Sequence, residues 1–160
     1  MFADASGGSV SIEANAIVRK QGAHFVQTNF HQSRGLSGPG LERYQTASSM
    51  LERAGAGISV DLFRRILAAT RQESAGSTTL YSNVYDLTSR TMYLYHFHDY
   101  DHVVAFRLDD ELKKGERALD IPSLFPRNAA ADAFAASWPR QRSTSPAPAI
   151  TLVEIGRAHV

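Results

Sequence analysis

His96 and His98 stand two apart, so on an extended chain they share one strand face, and His102 follows after a short polar break. Paired imidazoles can hold a metal. Here no carboxylate or further histidine stands at ligand spacing, and the flanking tyrosines and phenylalanines point to packing instead. The 160 residues contain no cysteine, which removes thiolate ligands, disulfides and a cysteine nucleophile from the chain itself. Serine chemistry lacks a local signature: neither Ser33 nor Ser82 sits in a G-x-S-x-G turn, and a hydrolytic serine would need His24 or His31 and a carboxylate beside it. Two other polar residues stand out. Asn29, in VQTNF (26–30), is a residue type that ends a strand or satisfies the backbone of a turn. Arg43, in RYQTA (43–47), falls in the first turn of an expected helix, where the helix dipole disfavours a cation, so a positional role is favoured over a solvated one.

The elements that position these residues are clearest over 80–108. Tyr81, Asn83, Tyr85 and Leu87 alternate with Ser82, Val84 and Asp86, and Tyr93, Tyr95 and Phe97 alternate with Met92, Leu94 and His96. That period of two predicts strands over 81–87 and 91–97, with a third over 103–108 after a break at Asp99, Tyr100 and Asp101. Short breaks make the three an antiparallel meander, and apolar residues on both faces of the middle strand predict cover on both faces. The break at Thr88, Ser89 and Arg90 lacks the Asn-Gly type of tip expected of a tight hairpin.

Upstream, Leu41, Tyr44, Ala47, Leu51 and Ala54 recur at helical spacing and stop at Gly55. Ser59 can cap a second helix whose stripe is Leu62, Phe63, Ile66 and Leu67, with Asp61 in its first turn and Arg71 near its last. Both stripes need a target, and the sheets supply it. Val10, Ile12, Ala14, Ala16 and Val18 alternate as a strand, and Phe25 to Phe30 reads as another. Asp109 can cap a short helix that ends near Gly115. Strands in runs and helices in runs give an α+β fold rather than a wound parallel sheet.

Composition narrows function by exclusion. A formal net charge of +1 gives no electrostatic case for nucleic acid or membrane as partners, and no apolar run approaches the roughly 18 residues of a membrane span. No secretory signal and no internal repeat stand out. The domain is expected to run over 1–127. Residues 128–153, rich in Ala, Pro, Ser and Arg, read as a tail of low order, with a brief helix over 132–138 and irregular chain from 143. Residues 154–160 (EIGRAHV) resemble a translated sequencing adapter, so they are expected to be extraneous to the fold.

The ordered series VQTNF, RYQTA and YSNVYDLTSRTMYLYHFHDYDHVVAFRLDDELKKG (81–115) resembles the C-terminal half of the linear amide C–N hydrolases. These are the choloylglycine hydrolase, penicillin V acylase and acyl-coenzyme A:6-aminopenicillanic acid acyltransferase group of N-terminal-nucleophile enzymes. The resemblance implies a four-layer αββα sandwich with antiparallel sheets, no cofactor and no metal, and a small-molecule amide as substrate. It implies catalysis by an N-terminal cysteine whose thiol attacks the carbonyl while its own α-amino group handles the proton. It assigns Asn29 as the donor to the oxyanion and Arg43 as the guanidinium beside the nucleophile, and the two are expected to meet at the mouth of a cleft.

The family's cysteine, and the arginine and aspartate that closely follow it, have no counterpart here. The chain is therefore expected to be a C-terminal portion, inert alone, whose partner is the N-terminal half of the same domain. Hydrolysis and acyl transfer stay open as activities. So does a non-catalytic α+β binding or assembly module.

Overall fold

A computed structural model describes residues 2–3, 8–13, 16–74 and 77–137, as backbone alone at 2–3. Over these residues the fold is α+β, with small antiparallel sheets and four α-helices. The first sheet joins β1 (Phe2–Ala3), β2 (Ser9–Glu13) and β3 (Ala16–Arg19) in sequence order. What reads as one alternating strand over 10–18 is therefore a hairpin, with Glu13 opposite Ala16 and Val10 opposite Arg19. Its burial inverts the apolar pattern. Ser11 and Glu13 are buried, whereas Ile12 and Ile17 are more than half exposed at 62% and 58%.

Residues 25–30 form no strand. Side-chain amides take the carbonyls a ladder would need: Gln27 Nε2 donates to Thr28 O (3.1 Å) and Phe30 O (2.8 Å), and Gln32 Nε2 donates to Val26 O. A single 3₁₀ turn, Gln32–Arg34, follows.

The helices match their sequence signals closely. α1 (Leu41–Ala54) ends at Gly55, whose left-handed φ of +54° suits a residue without Cβ, and α2 (Val60–Thr70) begins under Ser59, whose Oγ accepts from Leu62 N (3.1 Å). Ala47 and Leu51 of α1 bury against Leu62 and Ile66 of α2, and Val26 of the preceding loop packs onto the same cluster. Another side of α2, through Val60, Leu67 and Ala68, covers Val84, Tyr95 and Tyr100 of the meander. Apolar stripes on both helices predict that both pack on one face of the sheets; α2 packs on the meander and α1 packs on α2.

A two-residue-strand hairpin, β4 (Glu73–Ser74) and β5 (Ser77–Thr78), carries no alternation that announces it. The meander follows as β6 (Tyr81–Asp86), β7 (Thr91–His96) and β8 (Asp99–Arg107), antiparallel throughout. Asp86 replaces the missing Asn-Gly tip at the first turn: its Oδ1 accepts from Thr88 N (3.0 Å) and Ser89 N (3.2 Å). The second turn is Phe97 and His98, and β8 starts at Asp99, ahead of the expected 103. The polar run after the turn is a bulge rather than a break. Leu94 faces Val104 and His96 faces Asp99, so Tyr95 alone on β7 spans what 100–103 span on β8. Asp99 Oδ1 accepts from Asp101 N (3.1 Å) and His102 N (3.2 Å) and thereby folds the bulge.

The short helix α3 (Leu108–Leu112) starts at Leu108, with Asp109, Asp110 and Glu111 in its first turn, so Asp109 is not its cap. A 3₁₀ turn (Pro122–Leu124) leads to α4 (Ala129–Ser137). The brief helix expected over 132–138 thus starts earlier, at Ala129. The cause is Asn128, whose Oδ1 accepts from Ala130 N (3.0 Å) and Ala131 N (3.1 Å) while its Nδ2 donates to Phe97 O (3.1 Å). The expectations for 138–160, including the tail from 143 and the segment 154–160, lie outside the described residues. No helix among the described residues is long and apolar enough to cross a membrane.

Candidate functional site

The Arg43 guanidinium and the Asn29 main chain both approach Gly40. A Cβ at that glycine would stand 3.0 Å from Arg43 Nη2 and 3.0 Å from the Asn29 backbone nitrogen, so the guanidinium and the Asn29 main chain are at most twice that distance apart. Gly40 precedes α1 in a left-handed conformation (φ +90°) that a side chain would strain, and Thr28 Oγ1 donates to its carbonyl (2.9 Å). Val26 in the α1–α2 core, the Gln27 and Gln32 amides, and Phe30 edge-on to Tyr44 (ring centroids 5.4 Å) fix the loop on either side of Asn29. Asn29 itself is exposed, and Arg43, half-buried, pairs with no carboxylate among the described residues. The loop thus brings the Asn29 main chain near a guanidinium that pairs with no carboxylate among the described residues, a donor suited to a carboxylate or a developing oxyanion.

No family model, curated protein or solved structure matches the chain.

The same region brings together a serine, a histidine and a carboxylate, the combination a serine hydrolase requires. Their order is wrong for it. Ser33 Oγ donates directly to Glu13 Oε2, and His31 Nδ1 lies 3.7 Å from that same oxygen, so the imidazole does not stand between serine and acid. The Ser33 hydroxyl, burial acting against it, and the backbone N–H groups of Ser33 (3.1 Å) and Gln32 (2.8 Å) leave the Glu13 carboxyl below its ordinary range, a weak base. Glu13 instead caps the 3₁₀ turn from the neighbouring sheet, which explains why a polar side chain faces inward on β2. Sequence alternation places it on a solvent face, and its partners lie 19 and 20 residues away, so no local signal marks it.

That cap makes a testable pH dependence. A carboxyl with a depressed folded-state pKa adds stability above its ordinary 4.5, and that stability is lost as pH falls through the folded value. Glu13→Gln is expected to lower the thermal midpoint at pH 7, and its gap from the parent should narrow as pH falls below 4.5; a gap independent of pH would deny the charge a role.

The histidines do not converge. His98 lies in the turn, off the strand face it was expected to share with His96, and stacks on Phe97 (4.7 Å). His96 packs on Phe125 (5.6 Å), and His102 Nδ1 is 2.8 Å from Asp99 Oδ2. Among the described residues no group of three or more His, Cys, Asp and Glu is placed to hold a metal. Gly40 is the residue that sequence reasoning passed over, although Gly38-Pro39-Gly40 directly before the RY helix is a strong turn signal. Gly40→Ala should cost about 1–3 kcal/mol in urea denaturation, from the left-handed backbone and the two close contacts. Parent-like stability would mean that the glycine is not held there.

Proposed function

We propose that this chain is the C-terminal part of an N-terminal-nucleophile hydrolase or acyltransferase acting on linear amide C–N bonds, with Asn29 as oxyanion donor and Arg43 as the guanidinium that orders the nucleophile. The observation that supports the reading is the junction at Gly40, which the Arg43 guanidinium and the Asn29 main chain both approach although 14 positions separate the two residues in sequence. The uncovered apolar side of the first sheet, Ile12 and Ile17, adds support, since a four-layer sandwich would bury it under further strands. The attacking thiol is supplied from outside these 160 residues, which hold no cysteine.

The upstream coding sequence is the test. It is expected to encode a cysteine made N-terminal by processing and closely followed by an arginine and an aspartate. The extended protein should cleave acyl amides from a panel covering bile-acid conjugates, penicillin side chains, acyl-homoserine lactones and small peptides, and iodoacetamide should block it. An unrelated upstream domain, or amide cleavage indifferent to thiol alkylation, overturns the reading, and the former favours a binding or assembly module.

A further inference from the structure

A cavity of about 1000 Å³ opens between the end of the β6–β7 hairpin, the 121–128 connection and α4. Tyr81, His96 and Phe97 wall it on the meander side, and Ile121, Ala131 and Phe134 on the other. It has the size of a small-molecule site. Its lining shares no residue with the Gly40 junction, so ligand binding here succeeds or fails independently of any amide chemistry.

Most polar groups around it are already committed. Asn128 caps α4 and donates to Phe97 O, Arg127 Nε pairs with Asp132 Oδ2 at 2.8 Å, and Ser123 Oγ donates to Asp120 O at 2.7 Å. Two groups have no such commitment, the half-exposed Tyr81 hydroxyl and the His96 imidazole, and of these only His96 is buried. The side chain is nine-tenths buried, its Nδ1 is enclosed, and neither ring nitrogen has a hydrogen-bond partner among the described residues. Burial holds its pKa below the usual histidine range, so at neutral pH the ring carries one N–H and one bare nitrogen.

The adjoining backbone adds an independent sign. Phe97 and His98 both sit at positive φ, +40° and +65°, a left-handed pair that Gly and Asn ordinarily occupy in two-residue hairpin turns. Side chains held in such conformations cluster at ligand sites. Here the turn fixes the Phe97 ring in the cavity wall, against Phe134 (5.4 Å) and stacked on His98.

We propose that this cavity binds a neutral, ring-bearing small molecule with one hydroxyl, the ring lying among Tyr81, Phe97 and Phe134 and the hydroxyl on His96 Nε2, the ring nitrogen that is not enclosed. Aromatic walls favour a ring through offset and edge contacts. A charged ligand would give up hydration for no free counter-charge, because Arg127 and Asp132 neutralise each other. A hydroxyl suits either imidazole tautomer, since it donates to a bare nitrogen and accepts from an N–H.

2-Naphthol is a probe of that chemistry, with naphthalene and 2-naphthoate as controls, titrated into the full chain by equilibrium dialysis. The expected result is saturable one-to-one binding of 2-naphthol, about three- to tenfold tighter than naphthalene, the preference one net hydrogen bond supplies. The naphthoate anion should bind more weakly than either. His96→Phe should equalise naphthol and naphthalene, and Ala131→Trp should abolish binding of both by filling the cavity. Should either variant fail to fold, amide shifts of the parent chain decide: at saturation Phe97, Ala131 and Phe134 should move and Asn29 and Arg43 should not. No saturable binding by the folded chain, binding that survives Ala131→Trp, a hydroxyl preference that survives His96→Phe, or shifts centred elsewhere would each overturn the assignment.

Discussion

Asn29→Ala is expected to lower amide turnover about a hundredfold or more once the chain is joined to a segment that supplies the N-terminal cysteine, a loss on the order of 3 kcal/mol of transition-state stabilisation. The size follows from preorganisation. Thr28, Gln27 and Gln32 hold the main chain around Asn29 through bonds that do not involve its carboxamide, so the alanine variant should keep the loop and lose only the donor. The deficit should therefore sit in kcat with little change in KM, because the bond strengthens only as charge develops on the carbonyl oxygen. Arg43→Lys tests the neighbouring role differently. It keeps the charge but loses the planar fork, and should move the thiol-dependent limb of the pH–rate profile to higher pH. An Asn29→Ala enzyme at parental rate, with the Gly40 junction intact by NMR, would remove the oxyanion assignment. The 160 residues alone should show no thiol-dependent cleavage at all.

What the sequence made legible was local. α1 and α2 could be bounded because spacing, Ser59 and Gly55 agree on the same answer, and the meander because period two persists through both β6 and β7. Misreadings arose where a side chain competes with the backbone over a distance. Residues 25–30 suggest a short strand until Gln27 and Gln32 claim their carbonyls. Asp99 to Asp101 reads as a break because polarity marks turns, whereas the Asp99 carboxylate folds a bulge and the turn falls on two aromatic residues that no turn rule favours. Asn29 and Arg43 take their catalytic assignments from the resemblance; residue chemistry alone reads Asn29 as a turn or strand-end residue and favours only a positional role for Arg43. Their approach to Gly40 depends on its backbone freedom, which becomes visible only when the loop and helix are assembled.

Tyr95→Ala should destabilise the chain by about 3–5 kcal/mol, the cost of emptying a buried aromatic site that cannot fully collapse. Tyr95 is 3% exposed, contacts Tyr100 at a ring separation of 5.7 Å, and lies in the cluster through which α2 covers the meander. It is also the single β7 residue opposite the β8 bulge. A domain with about 5–15 kcal/mol in hand loses much of it in one change. Tyr100→Phe is the calibrating control: it removes only the hydroxyl that donates to Leu67 O (3.2 Å) and lies 3.1 Å from Ser82 Oγ, and should cost about 1 kcal/mol. Urea denaturation of both variants gives the ordering. Parity between them would mean that α2 does not seal this face. Alkaline titration offers a second check, because burial raises the Tyr95 phenol above its ordinary 10.0. Above that pH the unfolded phenol ionises while the folded one keeps its proton, so the folded chain binds more protons and stability falls until the folded phenol titrates. Tyr95→Phe should flatten this alkaline loss while leaving the neutral-pH core filled.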